Sequence, residues 1–419
     1  MPAPISSRSL ALAALDRWRN GTEFADKIVA ETFAAGDLGS SDRGFALELF
    51  YGVLRNLSLL DFWIAQLRSG PIEANARDLL RLGLYQIMLL ETAAHAAVFE
   101  TVKLAGPRKR PLVNAILRRA LREHVALTKK AEAQPVHLRF SAPEFLVEKW
   151  SQQFGPESAL ALCRWNNQPA PVYARINRLQ VTAAEFLDRY EGSALLAGSA
   201  NFASLPEPMG AARAGAAYLQ DPSTALACEL LRPAPGERVL DACAAPGGKS
   251  AYLAEMMDNQ GELVAVDQDE ARLERLRGNL VRLGVQNARL VQCDWLKEDS
   301  VRAADWTEQS FDKILLDTPC SNTGVMRRRV DVRWRLRPGD FNRMQRQQFA
   351  ILKAVAPLLR PGGSLVYSTC SLESEENEEV VESFLRAQPG FRLTDRKEML
   401  PFRDALDGAF AARLERSPS

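Results

Sequence analysis

Residues 239–250 read VLDACAAPGGKS, and the pattern of this stretch indicates how the C-terminal half of the chain folds. A short apolar run ends near Asp241, a turn with Gly247 and Gly248 follows, and we expect a helix from about Ser250. Glycines allow the backbone to approach a ligand closely, and the N-terminus of a helix favours a negatively charged group. The stretch is not the GxGxxG of a dinucleotide-binding fold, so a turn that only joins a strand to a helix remains an alternative.

The alternation of apolar runs with helical segments continues from this stretch toward the C-terminus. The apolar runs are ERVLDA (237–242), GELVAVD (261–267), ARLVQCD (288–294), FDKILLD (311–317) and GSLVYST (363–369). Strands that alternate with helices predict βαβ units, and hence an α/β fold with a doubly wound, mostly parallel, Rossmann-like sheet over residues 221–419. Ligands of such sheets bind at the carboxyl ends of the strands.

The residues before this sheet follow other patterns. Apolar residues recur at three- and four-residue spacing through residues 1–130, which predicts an all-helical domain with its own core. Residues 131–220 combine a helix at 142–155, a strand at 171–179 and a helix at 182–190, which predicts a small α+β connecting subdomain. Several domains are expected, because 419 residues exceed the size at which one core usually stops growing.

Composition excludes several classes of protein. The chain is 47% hydrophobic and 25% charged with a net charge of +1, and it has no apolar run approaching the ~20 residues that span a membrane. Its N-terminus lacks the apolar core of a signal peptide, so a cytoplasmic location without membrane attachment is expected. The 6 cysteines are dispersed, form no CxxC pair and lie far from the 3 histidines, so neither a disulfide framework nor a metal site is expected.

Two stretches are strongly basic despite the small net charge. Residues 103–130 hold nine Lys or Arg against one acidic residue, and residues 326–346 hold eight arginines against two aspartates. Such clusters favour a polyanionic partner, although an ordinary solvated helix face remains an alternative for the first stretch.

Aspartates end the two strands that follow the glycine turn. Asp267 ends GELVAVD, where a carboxylate can accept both hydroxyls of a ribose, and Asp294 ends ARLVQCD, where it can accept from an exocyclic amino group. A single aspartate at a strand end is often only a helix cap. Three successive strand ends of this kind predict a cofactor that bears adenosine and a carboxylate but no phosphates, a description that S-adenosylmethionine fits.

Cysteines end two further strands. Cys320 follows FDKILLD in the run Asp317-Thr318-Pro319-Cys320, and Cys370 follows GSLVYST. Methyltransferases of this fold that act on amino groups commonly carry (Asn/Asp)-Pro-Pro-aromatic at the first of these positions. A thiol there indicates a target carbon that must first become nucleophilic, such as C5 of cytosine after a thiolate has added to C6. The other thiol could then remove the C5 proton, so that the bond between enzyme and base can break.

Charged groups near the cysteines suit this chemistry. A thiol with the ordinary pKa of about 8.5 is only a few per cent ionised at pH 7, so Arg327 to Arg329 and Lys249 are expected to supply helpful positive charge. Asp317 could bond to N3 and the amino group of the base. Each cysteine alone also fits a small buried hydrophobic residue, and these patterns do not decide which thiol attacks.

Three motifs resemble those of the NOL1/NOP2/Sun (Fmu) family of RNA cytosine-C5 methyltransferases. They are CAAPGGK (243–249), DTPCSNTG (317–324) and YSTCSLESEENE (367–378). The resemblance implies that Cys370 is the nucleophile, that Cys320 assists product release and that Asp317 contacts the base. It also implies cofactor contacts at Cys243, Ala244, Ala245, Pro246, Gly247, Gly248, Lys249, Asp267, Asp294 and Asp317.

The resemblance extends over nearly the whole chain. ELFYGVLRN (48–56), LLRLGLYQIMLLE (79–91) and VNAILRRAL (113–121) are similar to the NusB-like helical RNA-binding domain of the bacterial small-subunit rRNA enzymes in this family. The implied partner is 16S rRNA, naked or early in subunit assembly, and nothing in the sequence requires more than a monomer. Thr318, Asn322 and Ala409 depart from the family pattern, but none of them removes a reacting group.

A base methylated at C5 must leave its stack, so RNA contacts are expected near the cysteines. The candidates are Arg327, Arg328, Arg329, Arg333, Trp334, Arg175 and Asn177. Trp334 as part of a hydrophobic core remains an open alternative.

Two other functions remain open. The same chemistry could act on tRNA or large-subunit rRNA, although the helical N-terminal domain favours the small subunit. A non-catalytic RNA-binding or ribosome assembly factor is the second alternative, and the pair Cys320 and Cys370 argues against it. A DNA cytosine methyltransferase is disfavoured, because those enzymes place their nucleophile in the PC motif.

Overall fold

A computed structural model describes residues 6–34, 38–90, 92–304 and 306–418. These residues form two compact units. The first runs to Pro169 and includes the later segment Met326–Arg335, while the second comprises Ala170–Val325 and the chain from Leu336 onward. Residues 131–169 thus group with the first unit and 170–220 with the second, and the three-part division at 130 and 220 stays a prediction. No helix within the described residues is long and apolar enough to cross a membrane.

The first unit is helical, as the spacing of its apolar residues predicts. Its helices are α1 (Ser7–Asn20), α2 (Ala25–Ala34), α3 (Ser40–Arg55), α4 (Leu57–Leu67), α5 (Ala74–Met88), α6 (Ala94–Leu104), α7 (Arg110–Arg122), α8 (His124–Glu132), α9 (Val136–Arg139), α10 (Glu144–Phe154), α11 (Pro156–Asn166) and, from the later segment, α18 (Val332–Arg335). Helix α1 illustrates how the sequence determines where a helix begins and which of its residues are buried. The Ser6 hydroxyl accepts from the Ser9 N–H and the Ser9 side chain accepts from the Ser6 N–H, so the helix starts with a capping box. Leu10 lies about one turn before Ala14 and Leu15, and all three are buried in the core of the unit.

The segment Met326–Arg335 belongs to this helical unit, although it lies far from Pro169 in the sequence. Val330 is buried in the helical core, and the Asp331 carboxylate accepts from the backbone N–H of Ala25 at 2.8 Å. The segment therefore contributes to the core instead of forming a free loop.

The second unit begins with a small sheet. Its elements are β1 (Tyr173–Ile176), α12 (Ala183–Arg189), β2 (Ala194–Leu195), β3 (Phe202–Ser204), α13 (Pro208–Arg213) and β4 (Ala217–Leu219). The strands are antiparallel in the order β2-β3-β1-β4. The predicted strand at 171–179 and helix at 182–190 are confirmed, whereas β2, β3 and β4 were not predicted.

A seven-stranded sheet forms the rest of this unit. Its elements are α14 (Leu226–Leu231), β5 (Arg238–Asp241), α15 (Gly248–Met256), β6 (Glu262–Asp267), α16 (Glu270–Arg282), β7 (Ala288–Gln292), α17 (Glu298–Ala303), β8 (Phe311–Asp317), α19 (Gly339–Val355), β9 (Leu359–Thr369), α20 (Glu378–Ala387), β10 (Phe391–Met399), α21 (Pro401–Asp404) and β11 (Ala409–Arg416). The strand order is β10-β11-β9-β8-β5-β6-β7. Strands β5 to β9 pair in parallel and β11 and β10 antiparallel, so the doubly wound, mostly parallel sheet is confirmed, as are all five predicted strands.

Both faces of this sheet are covered by helices. Along β8, Ile314 and Leu316 pack in a core with Leu352 of α19, whereas Leu315 points to the other face and packs with Leu253 of α15. A strand that is buried on both faces reads as a continuous apolar run, which explains why ILL at 314–316 does not alternate with polar residues.

The order of the strands indicates where in this sheet a ligand would bind. The chain runs from β5 outward through β6 and β7, then returns to lay β8 and β9 on the opposite side of β5. Loops at the carboxyl ends of β5 and β8 therefore diverge and leave a crevice, which is where ligands bind in open α/β sheets.

Candidate active site

The glycine turn after β5 is shaped by close packing. Gly247 has a φ of +106°, a left-handed conformation that favours glycine, and α15 begins directly after it at Gly248. A Cβ atom on Gly248 would lie 2.6 Å from the ring of Tyr218 and 2.9 Å from Oε1 of Gln220. The turn therefore requires glycine at both positions, and its backbone lies at the carboxyl end of the central strand, as the sequence predicts.

Lys249 and Asp317 form an ion pair across the crevice between the ends of β5 and β8. Lys249 Nζ lies 2.7 Å from Asp317 Oδ2. Burial acts to lower the pKa of Lys249, but the charge and hydrogen bond of Asp317 outweigh it and raise this pKa above its usual value. Lys249 stays protonated, and its charge also interacts with Cys370. This lysine therefore supplies positive charge to the cysteine site, while the same role for Arg327 to Arg329 stays a prediction.

Asp241, at the end of β5, is the buried neighbour of this pair. Its Oδ2 accepts from the Ser250 hydroxyl at 2.7 Å. Burial raises the pKa of Asp241 to about 7, against smaller lowering effects that include the Ser250 hydrogen bond.

The two aspartates that are predicted to bind the cofactor, Asp267 and Asp294, lie at the ends of adjacent strands. Asp267 is buried, accepts from the Asp269 N–H at 3.1 Å and pairs with Arg272 at 3.2 Å. Asp294 pairs with Lys297 at 3.2 Å and lines an open cleft of about 680 Å³ beside β6 and β7. Carboxylates, an adjoining cleft and a glycine turn suit the hydroxyl and amino groups of a nucleoside, so these residues fit S-adenosylmethionine.

Cys320 and Cys370 are brought together by the loops that follow the neighbouring strands β8 and β9. Their sulfur atoms are 3.3 Å apart. The Gly324 N–H donates to the Cys370 carbonyl at 3.0 Å, and the Gly408 N–H donates to the Gly324 carbonyl at 2.8 Å. A Cβ on Gly324 would lie 2.7 Å from the Cys370 carbonyl oxygen, so glycine is required for this approach of the two loops. The hydrogen bond with Cys370, followed by burial, raises the pKa of the Cys320 thiol well above its usual value.

Glu376 holds the two cysteine loops in register. Its fully buried carboxylate accepts from the Ser321 N–H at 2.9 Å, from Nε2 of Gln348 at 2.8 Å and from the Ser371 hydroxyl at 2.9 Å. Ser321 follows Cys320 and Ser371 follows Cys370, so one carboxylate fixes both loops. A buried charge requires such donors, because an unpaired carboxylate in the interior is strongly destabilising.

Comparisons with known proteins agree with this architecture. Residues 228–415 match the family model described as 16S rRNA methyltransferase RsmB/F, residues 5–122 match the NusB family, and residues 142–203 match the ferredoxin-like domain of RsmF/B-like methyltransferases. The chain is 35% identical over 403 residues to ribosomal RNA small subunit methyltransferase B of Vibrio cholerae, covering 90% of each chain. It is 33% identical over 439 residues to the protein of that name from Yersinia pseudotuberculosis, covering 97% of this chain and 98% of that one.

The chain belongs to the RsmB/F family of 16S rRNA methyltransferases. A solved structure agrees with the fold: the crystal structure of PH0851 superposes with a TM-score of 0.79 at 25% identity, covering 98% of this chain and 99% of that chain. The predicted family, the NusB domain and the Rossmann-like methyltransferase fold are thereby confirmed.

Three of the predicted RNA contacts are wrong for this RsmB/F-family protein, because the side chains are buried in hydrogen-bonded positions. Arg175 is fully buried and pairs with Glu255 of α15. Asn177 is fully buried and donates to the carbonyls of Gly215 and Leu283, at 2.8 Å each. These two residues hold the small sheet against the α15 and α16 region.

Arg333 is the third such residue. Only 2% of it is exposed, and it donates to the Ser141 and Asn166 carbonyls and to the Asn167 side chain within the first unit. Trp334 is half-buried and donates to the Leu54 carbonyl at 2.8 Å, which favours the core alternative.

The remaining candidates lie in the triple-arginine run. The Arg327 guanidinium stacks over the Trp165 ring at 4.0 Å and donates to the Pro169 carbonyl at 2.7 Å. Arg328 is half-buried and Arg329 is exposed. These three stay predictions as RNA contacts.

Sequence reasoning missed several residues that build the site. Glu376 lies inside the quoted motif SLESEENE, where acidic and amide residues close together give no sign of which one is buried. Arg272 joins the glycine turn to Asp267 by donating to the Ala245 carbonyl at 3.0 Å. Asn322, which the sequence marks only as a departure from the family pattern, contacts both cysteines through its side-chain amide. No cluster of three or more His, Cys, Asp or Glu within the described residues could hold a metal ion.

Proposed function

We propose that this protein methylates C5 of a cytidine in 16S rRNA, with S-adenosylmethionine as methyl donor and a covalent bond between Cys370 and C6 of the base. The observation that carries the proposal is the pair of thiols 3.3 Å apart at the ends of β8 and β9, beside the ion pair of Lys249 and Asp317. Methylation of an exocyclic nitrogen needs no thiol, whereas activation of a pyrimidine carbon does. The small-subunit names of the Vibrio and Yersinia relatives support 16S rRNA as the substrate.

The cofactor would be held by the glycine turn at 243–249 and by Asp267 and Asp294. When bound, S-adenosylmethionine supplies a methyl group carried on a positively charged sulfur. Asp267 would accept the ribose hydroxyls and Asp294 an amino group of adenine, through carboxylate oxygens that retain acceptor capacity beyond their present hydrogen bonds.

The reaction assigns a separate task to each thiol. The Cys370 thiol loses its proton to water, and the thiolate adds to C6. The electrons of the C5–C6 double bond make C5 a nucleophile that would take the methyl group, while the sulfur of the donor keeps the electrons of the broken bond. Cys320 must first give up its own proton to water. As thiolate it then takes the proton from C5, the C5–C6 double bond forms again, and the Cys370 sulfur leaves with the bonding electrons. Hydrogen bonding to Cys370 and burial give Cys320 a high pKa, so its thiolate is a strong base.

Lys249 and Asp317 would stabilise the charges that arise on the base. The Lys249 cation lies where it favours negative charge at Cys370, and the Asp317 carboxylate can accept from the amino group of cytosine. The basic stretch 103–130 would bind the RNA backbone, because Lys103, Arg108, Arg118, Arg122 and Lys129 lie on the first unit with their charges at its surface. Cytoplasmic location and a monomeric state stay predictions.

Transfer of a labelled methyl group tests this proposal. Unmodified 16S rRNA, 23S rRNA and tRNA are each incubated with the protein and labelled S-adenosylmethionine, and the RNA is digested to nucleosides. We expect label in 5-methylcytidine from 16S rRNA only, and none with Cys370→Ser. Label only in tRNA or 23S rRNA would contradict the substrate. An absence of transfer to any RNA, with 16S rRNA still bound, would contradict catalysis and favour an assembly factor.

A further inference from the structure

Asn322 contacts both thiol-bearing residues of the site. It follows Cys320 by two residues and adopts a left-handed conformation, with a φ of +60°. Its Nδ2 donates to the Cys320 carbonyl at 2.8 Å, and its Oδ1 lies 3.2 Å from the Cys370 sulfur. Asparagine tolerates this backbone conformation better than most residues, and the short side chain reaches back toward the preceding turn.

The hydrogen bonds of Asn322 fix the direction of the contacts among Asn322, Cys320 and Cys370. A carbonyl can only accept, so the nitrogen of the amide must face Cys320 and the oxygen must face Cys370. An amide oxygen can also only accept, so the Cys370 thiol is the donor in that contact. Cys370 has a single proton, and Cys320 must therefore donate in the contact between the two sulfurs.

We propose that Asn322 is a positioning residue that holds the Cys370 thiol through this hydrogen bond while no RNA is bound, and that the incoming base must break the bond before the sulfur can attack. The proposal rests on the proposed function for the role of Cys370. The amide oxygen at 3.2 Å accepts from the thiol, so this bond must open when the sulfur turns to the base. The raised pKa of Cys320 agrees with the same direction of bonding, because Cys320 is then the donor to the other sulfur.

The other ionisable groups near the two sulfurs come from several elements. Lys249 of α15 favours the Cys370 thiolate, while Glu376 and Tyr367 interact with Cys320 and Asp317 pairs with Lys249. Asn322 thus holds the Cys370 thiol by a hydrogen bond, while Lys249 places positive charge near the same sulfur. The hydrogen bond would limit reaction of Cys370 with other electrophiles in the absence of substrate.

Alkylation of Cys370 in the full-length, RNA-free protein tests the proposal. The protein is treated with iodoacetamide across pH 6–9, and the modification of each cysteine is followed by mass spectrometry of its peptide. Asn322→Gly keeps the left-handed backbone accessible and removes the acceptor, whereas Asn322→Asp keeps an acceptor and adds negative charge. Asn259→Gly is the matched control, because Asn259 also has a positive φ, +55°, and donates from Nδ2 to a backbone carbonyl, that of Gly284.

We expect Cys370 to be alkylated about 3–10-fold faster in Asn322→Gly than in the wild type at pH 7, which is the effect of losing one hydrogen bond. Alkylation of Cys370 should be slower in Asn322→Asp than in the wild type. In Asn259→Gly it should proceed at the wild-type rate. Equal rates for Asn322→Gly and the wild type would overturn the proposal. Faster alkylation in both Asn322 variants would also overturn it, because a merely loosened loop would expose the thiol regardless of charge.

This readout requires neither RNA nor methyl transfer. Failure of the proposed function would appear as absent methylation with the alkylation pattern intact. Failure of the present inference would appear as unchanged alkylation in a protein that methylates RNA.

Discussion

Glu376 shows how much a single side chain contributes to the site. Its carboxylate receives three donors, two of them from residues adjacent to Cys320 and Cys370. Hydrogen bonds to a charged group are about twice as strong as neutral ones, and here each also fixes the position of a loop. The separation of the two sulfurs therefore depends on a residue that hydrogen-bonds to neither of them.

Glu376→Gln tests this dependence. The amide replaces one acceptor oxygen with a donor that faces other donors, so we expect a loss of about 2–3 kcal/mol in stability and a large fall in methyl transfer. The midpoint of thermal unfolding and the rate of methyl transfer measure the two effects. Glu379→Gln is the control, since Glu379 lies one helical turn away and is exposed; equal behaviour of the two variants would contradict the role assigned to Glu376.

Asp241 predicts a pH dependence of stability. Its pKa is raised by burial from the ordinary 3.8 to about 7, so between these values the folded protein binds more protons than the unfolded chain. The contribution of Asp241 to the free energy of unfolding therefore falls as the pH rises from about 4 to about 7, and it is constant above pH 7. The total change in this free energy is about 4 kcal/mol at most.

Thermal unfolding of the wild type and Asp241→Asn across pH 5–8 measures this contribution. The variant cannot ionise, so its unfolding midpoint should fall less than that of the wild type over this range. If the unfolding midpoints of the two proteins changed equally with pH, Asp241 would not titrate between pH 5 and pH 8.

At the scale of elements, the turn between β5 and α15 depends on glycine. Gly248→Ala would place a methyl group 2.6 Å from the Tyr218 ring and displace the start of α15. We expect a loss of about 1–3 kcal/mol and weaker binding of S-adenosylmethionine, measured by thermal unfolding and isothermal titration calorimetry. Gly278→Ala is the matched control, because Gly278 lies within α16 with open space around it, and alanine there should stabilise by about 0.5–1 kcal/mol. Similar losses in both variants would contradict the packing argument.

Elements were predictable where their patterns were strong. The strands β5, β6, β8 and β9 are continuous apolar runs because both faces of the sheet are buried, and such runs stand out from helical spacing. Strand β10 is an exposed edge strand whose sequence FRLTDRKEM is largely charged, so no apolar pattern marked it. The strands β2 to β4 have two or three residues each, too few to establish a period.

The exposure of individual arginines was not predictable for a related reason. Arg333 and Ser141 are 192 residues apart in the sequence, and only the fold brings the guanidinium to the buried carbonyls that it pairs with. The sequence gives the number of basic residues in a stretch, but only the fold determines which of their side chains are exposed to solvent. The strand-end positions of Asp267, Asp294, Asp317 and both cysteines were predictable, because topology alone puts those ends on one edge of the sheet.

At the scale of the whole molecule, the exposed basic residues of α7 and α8 are expected to set the affinity for RNA. Replacing Arg118, Arg122 and Lys129 by alanine should weaken binding to 16S rRNA and reduce the slope of log K against log salt by about 0.7–0.9 for each phosphate that is no longer neutralised. Filter binding at several salt concentrations measures both quantities. The control replaces Arg277, Arg302 and Arg386, which are exposed in the second unit. An equal loss of affinity in both triple variants would contradict a specific basic surface.

A denaturing gel tests directly whether the two thiols act in sequence on one base. Wild type, Cys320→Ala and Cys370→Ala are each incubated with S-adenosylmethionine and unmodified 16S rRNA. Cys320→Ala should give a protein–RNA band stable to heat and detergent, because it forms the bond to C6 and transfers the methyl group but lacks the base that allows release. A band with Cys370→Ala instead, or none with either variant while the wild type methylates the RNA, would contradict the account.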